Sequence, residues 1–146
     1  AGADGVLITD LPPAASDEWC ALAAAHDLKT VFLVAPTTAP DRVHLATERT
    51  TGFVYAVSRA GVTGVRRELP PDLQTLVANI RAATDLPVAV GFGISTAAHV
   101  RQVCALADGA VVGSALVKVI AQHGDTPGLL PAVEAFIGEL RAGTQR

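Results

Sequence analysis

Five short β-branched runs, apolar on both of their faces, limit the folds open to this chain. They are Val6-Leu7-Ile8-Thr9, Val31-Phe32-Leu33-Val34, Phe53-Val54-Tyr55-Ala56-Val57, Val88-Ala89-Val90 and Ala110-Val111-Val112. A strand with one wet face alternates apolar and polar residues; these do not, so they are read as parallel strands covered by helices. Helical patterns fill the intervals, over residues 16–26, 40–48, 71–83 and 96–106, each opened by Ser, Thr, Pro or Asp. In the third, Leu73, Leu76, Val77 and Ile80 recur at helical spacing, and Asp85-Leu86-Pro87 ends the helix and leads into the next run. A last helix, over 129–141, carries Leu130, Val133, Phe136, Ile137 and Leu140 on one stripe. The spacing predicts five βα units in a row.

Charge and composition exclude several functions. The 146 residues carry 11 basic and 14 acidic side chains, a net charge of −3, which is the wrong sign for a surface that neutralises nucleic-acid phosphates. Apolar residues make up 50% and mean hydropathy is +0.40, enough for a buried core in one domain. The most apolar stretches, residues 88–94 and 109–117, are far shorter than the ~20 residues of a membrane span. Cys20 and Cys104 are far apart and outside any C-x-x-C pair, so both are read as small buried hydrophobes in a reducing cytoplasm. His26, His44, His99 and His123 fall on helical segments without metal-ligand spacing, and neither a nucleophile elbow nor a P-loop motif occurs; no metal is assigned. Methionine is absent and the sequence opens in mid-rhythm on Ala1-Gly2-Ala3-Asp4-Gly5-Val6, as expected of part of a longer chain.

Glycines gather after the last three runs, in Ser58-Arg59-Ala60-Gly61-Val62-Thr63-Gly64, Gly91-Phe92-Gly93-Ile94-Ser95 and Gly113-Ser114-Ala115. Glycine allows a ligand to approach the backbone closely. A short helix over 115–122, starting beside Ser114, offers unpaired amides and a positive dipole end to an anion. In (β/α)8 barrels the phosphate site is built from the loops after strands 7 and 8 and the N-terminus of a short extra helix. That match makes the five runs strands 4 to 8, and residues 1–146 the C-terminal part of a single barrel domain, with strands 1 to 3 outside it. Two other readings stay open on these residues. Glycines let helices pack closely on strands in any α/β protein. Five strands in 146 residues also suit a complete doubly wound, flavodoxin-like binding module, with Asp10 after the first run as its best support.

The string Gly52-Phe53-Val54-Tyr55-Ala56-Val57-Ser58-Arg59-Ala60-Gly61-Val62-Thr63-Gly64 resembles the tryptophan synthase alpha subunit. So do Val90-Gly91-Phe92-Gly93-Ile94-Ser95, Val112-Gly113-Ser114-Ala115-Leu116-Val117-Lys118 and Thr9-Asp10-Leu11-Pro12, and the likeness covers essentially the whole chain. The loop from Arg59 to Gly64 is the specific part. It speaks against other phosphate-binding barrels, such as indole-glycerol-phosphate synthase or a phosphosugar epimerase, which share the glycine pairs.

The resemblance implies a cytoplasmic lyase of tryptophan, hence aromatic amino acid, biosynthesis, paired with a beta subunit in an alpha2beta2 heterotetramer. It implies retro-aldol cleavage of indole-3-glycerol phosphate to indole and glyceraldehyde 3-phosphate. No cofactor is implied for this chain; pyridoxal phosphate belongs to the beta subunit, which takes the indole. Gly64, Gly93, Gly113 and Ser114 would bind the substrate phosphate, and Tyr55, Phe92, Leu33, Leu7 and Val111 would line the indole pocket. Thr63, with Gly61 as a hinge, would belong to a lid. The reaction needs an acid and a base, which the family supplies from a Glu and an Asp on the second barrel strand and the loop after it. Neither is expected within residues 1–146, so no catalytic residue is assigned and the chain alone is expected to be inactive. Asp10 is read as a turn or cap, Asp41, Glu68 and Asp72 as solvated or capping groups, and Lys118 as a charge able to reach a phosphate.

Overall fold

The computed structural model describes residues 2–57, 72–91 and 93–144, and the apolar runs form parallel strands in it. Strand β1 (Gly5–Leu7) leads through helix α1 (Asp17–Ala25) to β2 (Lys29–Val31) and β3 (Leu33–Val34). Helix α2 (Pro40–Arg49) connects to β4 (Val54–Val57), α3 (Leu73–Ala83) to β5 (Val88–Gly91), and α4 (Ala97–Cys104) to β6 (Gly109–Val111). Helices α5 (Ser114–His123) and α6 (Leu129–Arg141) follow. The run expected as one strand at 31–34 is split at Phe32, so the five expected units carry six strands. Its halves face different neighbours: β2 pairs with β1, β3 with β4, and the Tyr55 N–H donates to the Phe32 carbonyl at 3.0 Å. A curling sheet bends its strands where they pass from one neighbour to the next.

Strand order decides between the two architectures. A doubly wound sheet reverses direction at a switch point and carries helices on both faces. Here spatial order follows chain order, β1-β2 and then β3-β4-β5-β6, all parallel. The two faces also differ, contrary to the expectation of equal cover. Val54, Ala56, Val88 and Val90 are 0% exposed, while Tyr55, Val57, Ala89 and Gly91 between them are only half-buried. A single helix layer on one side of a sequentially ordered parallel sheet is the arrangement of part of a (β/α)8 barrel, and it removes the flavodoxin-like reading.

The core lies between sheet and helices. Val34, Val54, Ala56, Val88 and Val90 from the strands cluster with Val43 and Ala46 of α2, Leu73, Leu76, Val77 and Ile80 of α3, Val100 and Val103 of α4, and Leu140 of α6. All four residues of the predicted α3 stripe are buried, each contributing roughly 1.5–3 kcal/mol. The α6 stripe divides instead: Leu140 is buried, but Leu130 and Ile137 are exposed. Cys20 and Cys104 form no disulfide and are only half-buried at the edge of this cluster, rather than fully inside it.

Helix starts follow the sequence signals in part. Thr96 Oγ1 accepts the His99 N–H at 3.2 Å and caps α4, and Pro40 is the first residue of α2. Ser16 does not cap α1; its hydroxyl donates back to the Pro13 carbonyl at 2.8 Å and closes a 3-10 turn at Pro13–Ala15. Asp72 precedes α3 without a capping bond. Among the described residues no helix is long and apolar enough to cross a membrane, and no three His, Cys, Asp or Glu side chains stand together as a metal site needs.

One carboxylate joins three elements. Asp108 Oδ2 accepts the Val88 N–H at 2.9 Å and Arg81 Nη2 at 3.0 Å, so the turn before β6 holds the start of β5 and the end of α3. Removing the acceptor strands a part-buried amide, whereas removing the exposed arginine loses only a solvated ion pair. Asp108→Ala is therefore expected to lower stability by about 1–3 kcal/mol and Arg81→Ala by less than about 1 kcal/mol, read from urea unfolding midpoints. The reverse ranking contradicts this account.

Candidate functional site

Strand register brings the pocket candidates onto one face. Leu33 lies beside Tyr55, Tyr55 beside Ala89 and Ala89 beside Gly109; one row on, Val57 lies beside Gly91 and Gly91 beside Val111. Residues directly opposite, or two apart on a strand, share a face. Leu33, Tyr55, Gly91 and Val111 thus stand together on the half-open side of the sheet, away from the helices. Leu7 sits beside Val31, two residues before Leu33.

Tyr55 and Gly91 are fitted to each other. The phenol ring reaches diagonally across to β5, and a Cβ added to Gly91 would overlap the Tyr55 oxygen and Cζ. Glycine inside a strand marks such a close approach, so Gly91 has a role that the sequence reading left unassigned. The available signal was a tyrosine on one strand facing a glycine one row further along its neighbour.

The phosphate candidates lie at the carboxyl ends of the same strands. Because Gly91 pairs with Val111, the loops that leave β5 and β6 start side by side, and each places a glycine two residues on, Gly93 and Gly113. Gly93 is exposed with φ +48°, a left-handed conformation that favours glycine, and the space where a Cβ would stand is open. Gly113 and Ser114 are exposed at the start of α5. The first helical bond there is Val117 N–H to the Gly113 carbonyl at 3.1 Å, which leaves the amides of residues 114–116 without an intrahelical acceptor. An anion beside them meets those donors and the positive end of the helix dipole.

The remaining candidates are not placed in this grouping. Gly61, Thr63, Gly64, Phe92, Arg59 and Glu68 lie outside the described residues. Asp10 is exposed in the turn after β1, and Asp41 is exposed in the first turn of α2. Lys118 is exposed on α5, one turn beyond Ser114. A cavity of about 500 Å³ opens on the other side of β6, lined by Val100, Cys104, Ala110, Val112, Ile137 and Leu140; it is separate from the site face. His99, read from the sequence only as a helix residue without metal-ligand spacing, is 6% exposed, and its Nδ1 accepts the Ser95 N–H at 3.4 Å. Its place three residues after the capping Thr96, where a capping box carries Glu or Gln, was the signal to find it.

The sequence matches the family described as "Tryptophan synthase alpha chain" over residues 1–144. The chain belongs to the tryptophan synthase alpha chain family. Its relatives include the tryptophan synthase alpha chain of Opitutus terrae, 49% identical, the match covering 100% of this chain and 55% of that one. That of Solibacter usitatus is 45% identical over 98% of this chain and 54% of its own. Among solved structures, Mycobacterium tuberculosis tryptophan synthase is similar with a TM-score of 0.86 at 39% identity, over 97% of this chain and 52% of that one. The Pyrococcus furiosus tryptophan synthase alpha2beta2 complex gives 0.85 at 40% identity, over 94% and 55%. The chain spans about half the length of the curated relatives it matches.

Within this tryptophan synthase alpha family chain, the Tyr55–Gly91 fit gives a direct expectation. Gly91→Ala forces the ring aside and costs about 1–3 kcal/mol, measured by thermal or urea unfolding. In a Tyr55→Ala background the same change costs at least about 1 kcal/mol less, because nothing remains to displace. Additive penalties contradict the contact.

Proposed function

We propose that the protein carrying this chain acts as the alpha subunit of tryptophan synthase in the cytoplasm and cleaves indole-3-glycerol phosphate to indole and glyceraldehyde 3-phosphate. The carrying observation is the side-by-side placement of Gly93 and Gly113-Ser114 at the strand ends, above the face that holds Tyr55. Family membership supports the substrate. In this reading the five units are strands 4 to 8 of one (β/α)8-barrel domain. The phosphate dianion accepts hydrogen bonds from the Gly93 loop and the first amides of α5, and the resemblance adds Gly64. The flat indole ring lies against Tyr55, Leu33 and Val111, with Leu7 and Phe92 completing the pocket, and Thr63 with Gly61 forms the lid.

The reaction is a retro-aldol cleavage. Indole C3 takes a proton, the hydroxyl on the attached glycerol carbon loses one, and the bond between those carbons breaks, leaving an aldehyde. No described strand contains a carboxylate, and we assign the acid and base to carboxylates outside residues 1–146. This chain holds no cofactor in the proposal; pyridoxal phosphate acts in the beta subunit, which receives the indole. The Pyrococcus furiosus neighbour, described as an alpha2beta2 complex, supports that partner.

Placing a negative charge among the phosphate donors tests the reading. Ser114→Asp in the intact protein is expected to raise KM for indole-3-glycerol phosphate by at least about tenfold through like-charge repulsion and an occupied helix start. An unchanged KM removes α5 from the site. Residues 1–146 alone are expected to show no turnover, and measurable cleavage by them would contradict the assignment of the carboxylates.

A further inference from the structure

We propose that His99 is a positioning residue for the phosphate loop: its buried imidazole holds the 93–95 turn in the shape that presents the Gly93 backbone. The inference rests on the reading that this loop contacts substrate phosphate. His99 lies in the first turn of α4 and is only 6% exposed, although its side chain is polar. One hydrogen bond accounts for the side chain: its Nδ1 accepts the Ser95 N–H at 3.4 Å, while the backbone N–H of His99, which any residue but proline would supply, donates to Thr96 Oγ1 at 3.2 Å. The acceptor role assigns a neutral ring with its proton on Nε2.

This arrangement is the reciprocal clasp of a capping box, with an imidazole in place of the usual carboxylate or amide and reaching one residue further back. It gives the turn two successive anchors. The Ile94 side chain, 3% exposed, sits in the core, and the Ser95 amide is fixed on the ring. Together they fix the peptides that follow Gly93, where φ of +48° turns the backbone. Without an acceptor at position 99 the Ser95 N–H is left part-buried and unpaired, and the turn shifts to find a partner. His99 itself makes no contact with substrate in this account; it acts through the loop.

The test uses the intact protein, with His99→Leu filling the space without an acceptor and His99→Gln keeping an acceptor oxygen. Inorganic phosphate is the probe. In H99L the phosphate Kd, followed by phosphorus NMR, is expected to weaken about 5- to 10-fold, and the Ser95 amide to exchange with solvent at least about tenfold faster. In H99Q both stay within about twofold of the parent, and in H99L the KM for indole-3-glycerol phosphate rises while kcat is kept. A loss equal in both variants, or absent from both, overturns the inference, since only the acceptor separates them. If the parent binds phosphate but its Ser95 amide exchanges freely, the role of His99 alone falls. If that amide is protected but phosphate does not perturb the 93–95 turn, the phosphate-loop reading falls, and this inference with it.

Discussion

Every functional feature of this chain depends on one packing asymmetry in its sheet. Val54, Ala56, Val88 and Val90 give one face wholly to the helices, which frees Tyr55, Val57, Ala89 and Gly91 on the other face from any duty in that core. A parallel strand turns successive side chains to opposite faces, so filling one face with valine and alanine fixes the register of the other. The grip of α3, with Leu73, Leu76, Val77 and Ile80 at 4% exposure or less, makes that register costly to change. The Asp108 carboxylate fastens the opposite end of the same strands from the Gly93 and Gly113 loops.

Because the strands are parallel and in chain order, their carboxyl ends come to one side together, and the helix that follows each strand starts from there. The anchoring bonds and the candidate site are thereby separated along the strand axis. Salt bridge and side-chain clasps concentrate at the amino ends, where Thr30 Oγ1 donates to the Arg49 carbonyl at 2.6 Å and accepts the Thr51 N–H at 3.1 Å. Open glycines and uncapped amides concentrate at the carboxyl ends, at Gly93, Gly113 and Ser114. The fit of Tyr55 over Gly91 links the two regions, since it sets how far the ring extends toward those loops.

Much of this was legible in the sequence, and the exceptions have physical causes. The apolar runs and the α3 stripe announced strands and a helix because deep burial imposes strong periodicity. The break at Phe32 left no trace, since strand curvature depends on which neighbours pair, and an apolar run reads alike whether straight or bent. The Ser16 hydroxyl chose the Pro13 carbonyl over the helix amides, a competition between two local partners that composition does not rank. Among the candidate site residues, Gly93, Gly113 and Ser114 were legible as loop chemistry. Gly91 and His99 were not, because their roles exist only in relation to Tyr55 and Ser95. The lid residues Gly61 and Thr63, with Gly64 and Phe92, rest on family resemblance.

The central claim is that the carboxyl ends of β5 and β6 bind a phosphate while the Tyr55 face receives an indole. A crystal structure of the intact protein with indole-3-glycerol phosphate tests it most directly. The account predicts phosphate oxygens within about 3 Å of amides in the Gly93 loop and at the start of α5, with the indole ring against Tyr55. Phosphate bound elsewhere, or an indole in the cavity behind β6, would contradict it.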